Sequence, residues 1–343
     1  WRSYINQAML LTYNFRAARD PDYQDFLLRL RDSNTIHPLH LQKLRACRVT
    51  SVRAPPLAVT HVYWMRKYTA AANSKLVHII AAAAQEPVYR LHSTVIVDAT
   101  GEHLPRDHGS LRGYTVGLKS DESSKDTDPL PYFDIYVGMP VSIVLGHNHY
   151  IDKNIANGSQ AHVIATVPAL STLAFTEIQI QRPNGTWYRV RVLESLPTAI
   201  LVHNPNFKVQ LQPHGAGVCA ITPKTSSHAL HNVRSRCTIT HFGLRHVFAR
   251  TCHILQGSTL AAMVLGQLCP NTPSWLYTAL SRVASWADLY ILDSVNIDRL
   301  LSTKSRHPHQ LNDQHRVLQA SAATFAAITY LSQHFQPGHF PAT

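Results

Sequence analysis

The sequence predicts an α/β domain assembled from the two ends of the chain, with a small antiparallel β-domain inserted between them. Three observations carry this expectation. The β-branched and aromatic run LAVTHVY, at 57–63, leads into an Ala-rich helical segment from Asn73 to Ala84, which is the strand-then-helix alternation of α/β proteins. A polar stretch from Glu102 to Pro131 gives way to short apolar segments separated by Asn-Gly pairs, the pattern of strands joined by tight turns. After about Arg234 strand and helix patterns alternate again.

Each element has its own local reason. Asp20 followed by Pro21 reads as an N-cap with proline at the first helical position, and Tyr23, Phe26, Leu27 and Leu30 then recur at helical spacing. A second short helix follows Pro38, with Leu41 and Leu44 expected inward. In the middle, SDESSKDTDP is the most loop-like part of the polar stretch. IYVGMPVSIVLG, QAHVIATV, LAFTEIQI and TWYRVRVL are the strand candidates, with turns at Asn157-Gly158 and Pro183-Asn184-Gly185. The last third reads as strand CTITHF, a helix near His246 to Leu255, strand AAMVLG, a helix near Ser274 to Val283, strand LYIL and C-terminal helices. The expected boundaries are 1–100 and 233–302 for the two segments of the α/β domain, 101–131 for the polar loop, 132–232 for the inserted β-domain and 303–343 for a helical tail.

Composition limits the function classes. With 343 residues and 45% hydrophobic content the chain can bury a sizeable core. A formal charge of +12, with 22 histidines in reserve below neutral pH, favours polyanionic partners. The five cysteines are odd in number and lack any CxxC, which argues against a disulfide framework and for a reducing, intracellular compartment. No metal is expected: Cys237, His241, Cys252 and His253 do not have the spacing of structural zinc ligands. No apolar run reaches the roughly 18 to 20 residues that cross a bilayer, and no secretory signal is visible, so no membrane partner is expected. The N-x-S/T matches at Asn157 and Asn184 therefore read as turn chemistry, and a chain that begins with Trp1 reads as a fragment or a mis-started product.

One segment comes near a phosphate loop. GYTVGLKS, 113–120, places Gly117 one position too early for backbone N–H groups to wrap a phosphate in front of Lys119. It reads as a solvated loop. Nor does an acidic strand end of the metal-binding kind stand out, so no self-sufficient nucleotide site is expected.

Two short segments near the C-terminus carry more information: TCHILQGST, 251–259, and WLYTALSRV, 275–283. Upstream, LTYNFRAARDPDYQDFLLRLRD, AVTHVYWMRKYTAAANSKL and Gly138-Met139-Pro140-Val141 with Asn157-Gly158 occur in the matching order. Together they resemble the C-terminal half of a superfamily-one helicase of the Pif/RecD type, most nearly the Pif-like helicases of fungal genomes and Helitron transposons. The resemblance covers about Trp1 to Leu301. It implies a RecA-like second motor domain of the P-loop NTPase type, without a P-loop of its own and interrupted by a small antiparallel β-barrel. TCHILQGST stands for motif V, with Ile254 where lysine is usual; YTALSRV stands for motif VI; Arg16 stands for the arginine of motif IV, with Ala17 where glutamine is usual.

The resemblance further implies roles. Arg282 and Arg16 would act on the γ-phosphate, Arg282 as an arginine finger. Gln256, Gly257, Tyr277 and Ser281 would face the nucleotide. Thr251, His253 and Thr259 would contact the single-strand backbone, joined by Thr60, read as opening a helix, and Asn73. The cofactors would be ATP and Mg2+, the latter held by an N-terminal RecA-like partner domain that the sequence does not contain; the other partner would be single-stranded DNA. A nuclear location and 5′-to-3′ travel follow from the same resemblance. Taken alone, Arg282 reads as a surface helix arginine and His253 as a satisfied core histidine, and Trp64, Trp187, Trp275 and Trp286, which could stack bases, read as core residues. The alternative reading is a non-catalytic, transposon-derived helicase remnant that at most binds single-stranded DNA.

Overall fold

The computed structural model describes residues 15–32, 36–98, 100–101, 103, 130–144, 151–181, 187–229, 236–267 and 273–297. GYTVGLKS, the turn at Pro183-Asn184-Gly185 and the expected helical tail at 303–343 lie outside the described residues. In chain order, α1 (Pro21–Asp32) and α2 (Pro38–Ala46) precede β1 (Thr60–Tyr63) and α3 (Arg66–Ala83). Then come β2 (Val88–His92), β3 (Thr94–Val97), β4 (Tyr132–Ile135), β5 (Pro140–Ile143), β6 (Gln160–Val167), β7 (Phe175–Gln181), β8 (Trp187–Leu193) and β9 (Ala199–His203). β10 (Gln210–Leu211), β11 (Gly215–Ala216), β12 (Val218–Ile221), β13 (Lys224–Ala229), β14 (Arg236–His241), β15 (Leu244–His246) and β16 (Ala249–Thr251) follow, then β17 (Met263–Leu265), α4 (Pro273–Leu280) and β18 (Leu289–Ile291). No helix among the described residues is long and apolar enough to cross a membrane.

The chain divides into two compact units, one made of Trp1–Ala54 with Leu255–Thr343 and the other of Pro55–Ile254. In the first, described residues from the early part of the chain pack against residues of its last third. The Asp20 carboxylate accepts from the Tyr23 backbone N–H at 3.0 Å, as an N-cap should. Tyr23, Phe26, Leu27 and Leu30 are buried. The Tyr23 hydroxyl donates to the Leu280 carbonyl at 2.8 Å, and the Trp286 indole, which donates to Asp22 at 2.6 Å, packs 4.9 Å from the Tyr23 ring. Trp286 is thus a packing residue rather than a base platform, as is Trp275, 3% exposed. In α2 and at its end the inward positions are His40, Leu44 and Cys47. Leu41 is only half-buried, because His40 lies edge-on to Phe26 at 5.5 Å and sets the helix's rotation. β17 and β18 pair in parallel, Val264 opposite Tyr290.

In the second unit β1 and β16 pair in parallel, Tyr63 opposite Thr251. A five-stranded antiparallel sheet runs β12-β9-β6-β5-β15, a second sheet β4-β2-β8-β7 and a third β13-β14-β3. The five-stranded sheet has two separate edges among the described residues, so the antiparallel insertion is present without a closed barrel. The core of this unit includes Ile135, Met139, Val163, Val190, Ile200 and Leu244, each 1% exposed or less. Asn157-Gly158 does form the expected tight turn, Gly158 taking φ +92°.

Three local expectations fail. The segment from His246 to Leu255 is not a helix: it supplies the end of β15, then β16, then a turn. Its side chains are claimed by tertiary partners, His246 stacking on Phe133 at 4.4 Å and bonding through Nε2 to the Asp134 carbonyl at 2.7 Å, while β16 docks on β1. Thr60 opens a strand rather than a helix; α3 begins only after Met65. The expected helix from Ser274 to Val283 ends at Leu280, which leaves Ser281 and Arg282 beyond it.

A buried ionic centre ties this second unit together. Arg90 on β2 donates twice to the Asp134 carboxylate of β4, at 2.7 and 2.8 Å, and His78 of α3 lies 3.1 Å from the same group. Burial alone would raise the Asp134 pKa; the bonds from Arg90 and His78 outweigh it and hold the carboxyl well below the usual carboxylate range. Burial also lowers the pKa of His246, and pushes His61 down to about 4.

Both histidines are therefore neutral in the fold at pH values where an unfolded imidazole, near 6.5, binds a proton. Below that pH the unfolded state holds more protons, so stability is fully present above about 6.5 and declines as the pH falls toward 4. Urea unfolding across this window should show the decline, and His61→Gln should make it shallower, leaving the His246 contribution; a pH-independent midpoint between 6.5 and 4 would contradict this assignment.

Candidate functional site

The first unit brings together four of the residues singled out in the sequence, from segments far apart in the chain. Arg16 donates through Nε to the Thr259 hydroxyl at 2.8 Å and through a terminal nitrogen to the Ser281 carbonyl, residues 243 and 265 positions away. Arg282 is 9% exposed. Its Nε donates to the Thr278 carbonyl at 2.8 Å, one terminal nitrogen to the carbonyls of Leu255 at 3.2 Å and Ser258 at 3.3 Å, and the other to the Ser281 hydroxyl at 2.8 Å. The Leu260 N–H returns a bond to the Arg282 carbonyl at 2.8 Å. Two guanidiniums therefore hold the turn at 255–259, Arg282 through the Leu255 and Ser258 carbonyls and Arg16 through the Thr259 hydroxyl.

That turn presents Gln256 and Gly257 to solvent. Gly257 sits at φ +87°, a left-handed conformation that a side chain disfavours by about 1–2 kcal/mol, although nothing stands within 4 Å of where a Cβ would be. Glycine is needed here for the backbone, not for space. Tyr277 lies on α4, where its carbonyl accepts from the Ser281 N–H at 2.8 Å. Thr259, expected with the DNA contacts, instead receives Arg16.

The remaining DNA-facing candidates belong to the second unit. Thr251 is buried and closes β16, and its carbonyl accepts from the Ile254 N–H at 3.2 Å. His253 is exposed, with its ring centroid 6.2 Å from that of Trp64. Ile254 is 48% exposed where the resembled family has lysine, so the position projects into solvent without its charge. Ala17, where glutamine is usual, is fully buried. Thr60 is half-buried at the start of β1. Asn73 supports the fold: its Nδ2 donates to the Ala249 carbonyl at 3.0 Å and its Oδ1 accepts from the Ala249 N–H at 2.7 Å, so the amide completes the backbone pairing of β16. The Leu255 and Ser258 carbonyls, which hold Arg282, have no counterpart among the residues singled out in the sequence, because backbone acceptors leave no trace in residue identity. Among the described residues no group of three or more metal-ligating side chains occurs.

No family model matches the sequence, and no curated protein matches it. Solved structures do match. The Pif1 helicase from Candida albicans superimposes with a TM-score of 0.50 at 17% identity, over 89% of this chain and 59% of that one. A structure described as addressing DNA unwinding at forked double-stranded DNA by two coordinating Pif1 helicases gives a TM-score of 0.53 at 15% identity, over 90% of this chain and 54% of that one. The chain has a Pif1-like helicase fold. It spans a little over half the length of the helicases it matches.

Within this Pif1-like fold the role of Asn73 can be separated from nucleic-acid contact. Asn73→Ala removes both bonds to Ala249 and leaves its backbone groups without those partners, so it should cost about 1–3 kcal/mol of stability in urea unfolding. Unchanged stability would make the amide available to DNA again.

Proposed function

We propose that this chain is the second motor half of an ATP-dependent DNA helicase, contributing an arginine finger and single-strand contacts to an ATP site completed by a P-loop-bearing RecA-like domain. The observation that carries the reading is the convergence of Arg16, Thr259, Ser281 and Arg282 around the Gln256-Gly257 turn. Two cations beside an exposed glycine turn suit a nucleotide phosphate approaching from another domain. The match to a structure of Pif1 helicases at forked DNA supports the same reading at the level of fold. The five-stranded sheet would be the barrel-type insertion of that motor.

In this reading Arg282 exchanges the carbonyls of Leu255 and Ser258 for γ-phosphate oxygens when ATP is present. A charge-assisted bond to phosphate is stronger than one to a neutral carbonyl, so the exchange is downhill once the phosphate arrives. It also releases the 255–258 turn, and the chain runs from there directly into His253 and Thr251, the proposed contacts to the single-strand backbone. Mg2+ would be held by the P-loop domain. Travel from 5′ to 3′ and a nuclear location belong to this proposal through the resemblance.

A second reading is favoured by Ile254, half-exposed in place of a lysine, and by an Arg282 whose donors already have protein acceptors. The chain would then be a helicase remnant that binds single-stranded DNA without turnover.

The chain alone should hydrolyse no ATP. Joined to a P-loop domain, it should turn over ATP in a DNA-stimulated manner, and Arg282→Ala should reduce turnover by about 10³-fold or more while single-strand affinity is retained. Thermal unfolding of the same variant separates the readings: full turnover, or a collapse of folding in its place, would remove Arg282 from the chemistry.

A further inference from the structure

The antiparallel pair β7–β8 in the second unit has one face committed to the core; on the other, Leu193 and the Arg191 partner Tyr89 are buried, while Gln179, Gln181, Trp187 and Arg189 are exposed. Register places Gln181 opposite Trp187, Gln179 opposite Arg189 and Glu177 opposite Arg191. The alternate residues Ile178, Ile180, Tyr188 and Val190 pack into the core. On the outward face Trp187 is 59% exposed, the one tryptophan among the described residues left largely in water.

We propose that this outward face is a single-strand nucleic-acid platform, with Trp187 stacking a base and Arg189 and Arg191 meeting the phosphates of adjoining nucleotides. The ligand class rests on the helicase reading; the surface includes none of the residues at 251–259. Alternate residues of a strand stand about 7 Å apart on one face, comparable with the step of an extended single strand, so an aromatic followed by two arginines at that interval can follow a sugar-phosphate backbone.

The two cations differ in preparation. Arg191 is held in place: its guanidinium lies 5.0 Å from the Phe175 ring centroid and 5.6 Å from that of Tyr89, and donates to the Tyr89 hydroxyl at 3.0 Å. Arg189 has a 73% exposed side chain and reaches Glu177 at 3.5 Å. An exposed pair of that kind contributes little and is readily exchanged for a phosphate. Glu177 also lies 4.0 Å from Arg191, so the face keeps a net positive charge of two arginines against one glutamate. Gln179 and Gln181 add uncharged donors and acceptors beside them. A protein partner fits less well, because the centres of protein interfaces are depleted in charge, whereas here only Trp187 and Phe175 offer exposed apolar surface.

The test uses the purified chain and a fluorescein-labelled oligothymidylate, read by anisotropy over a salt series. Trp187→Ala should weaken binding about 5- to 150-fold, and Trp187→Phe should restore most of it. Arg189→Ala should lower the slope of log affinity against log salt by about 0.7. A Thr251→Ala/His253→Ala double variant is measured alongside, with thermal unfolding as the check on folding. Wild-type affinity in Trp187→Ala, with loss in the Thr251/His253 variant, overturns the platform and leaves the motif V contacts standing. Loss in Trp187→Ala with no loss in the Thr251/His253 variant supports the platform and removes those contacts. Absence of binding by the wild-type chain overturns the platform together with the helicase reading of its ligand.

Discussion

A guanidinium cannot shed its charge near neutrality, so an arginine buried to the extent of Arg282 must find acceptors for its donors within the protein. It takes them from the Thr278, Leu255 and Ser258 carbonyls and from the Ser281 hydroxyl. That requirement shapes the candidate site. Gln256 and Gly257 lie between two of those carbonyls, so the arginine fixes the turn that presents them. Arg16 closes the other side through Thr259 and Ser281, which brings the start of the described chain against its last third. A substitution at either arginine therefore acts on the placement of the turn as well as on any phosphate, and stability and turnover must be measured together.

The second unit solves a similar problem with the opposite charge. Asp134 is buried with a carboxylate that only Arg90 and His78 make tolerable, and its own carbonyl fixes His246. β2, β4, β15 and α3 are joined through this one residue. The contrast with the first unit is in accessibility: the Asp134 carboxylate lies in the core, whereas the Arg282 cluster lies beside the exposed Gln256-Gly257 turn.

Much of this was legible in the sequence because it is local. The Asp20-Pro21 cap, the apolar stripe of α1, the strands from β5 to β8 and the Asn157-Gly158 turn follow from capping, periodicity and turn chemistry. What was not legible depends on partners distant in sequence. HVFARTCHIL satisfies a helical pattern, yet its residues form β15, β16 and a turn because Phe133, Asp134, β1 and Asn73 claim them. His40 displaces Leu41 as the inward residue of α2 through contact with Phe26. At the site, the family resemblance implied that Arg16 and Arg282 serve one phosphate, but no property of the residues themselves could reveal that Asn73 serves a strand edge or that Arg282 is held by backbone carbonyls.

The claim that the two arginines act as a unit on one turn is tested most directly by a double-mutant cycle. DNA-stimulated ATP turnover is measured for Arg16→Ala, Arg282→Ala and the double variant, in the chain joined to a P-loop domain. If the arginines share one phosphate through one turn, the double variant should be barely slower than the worse single variant, a coupling above about 0.5 kcal/mol. Independent, multiplicative losses would contradict the account.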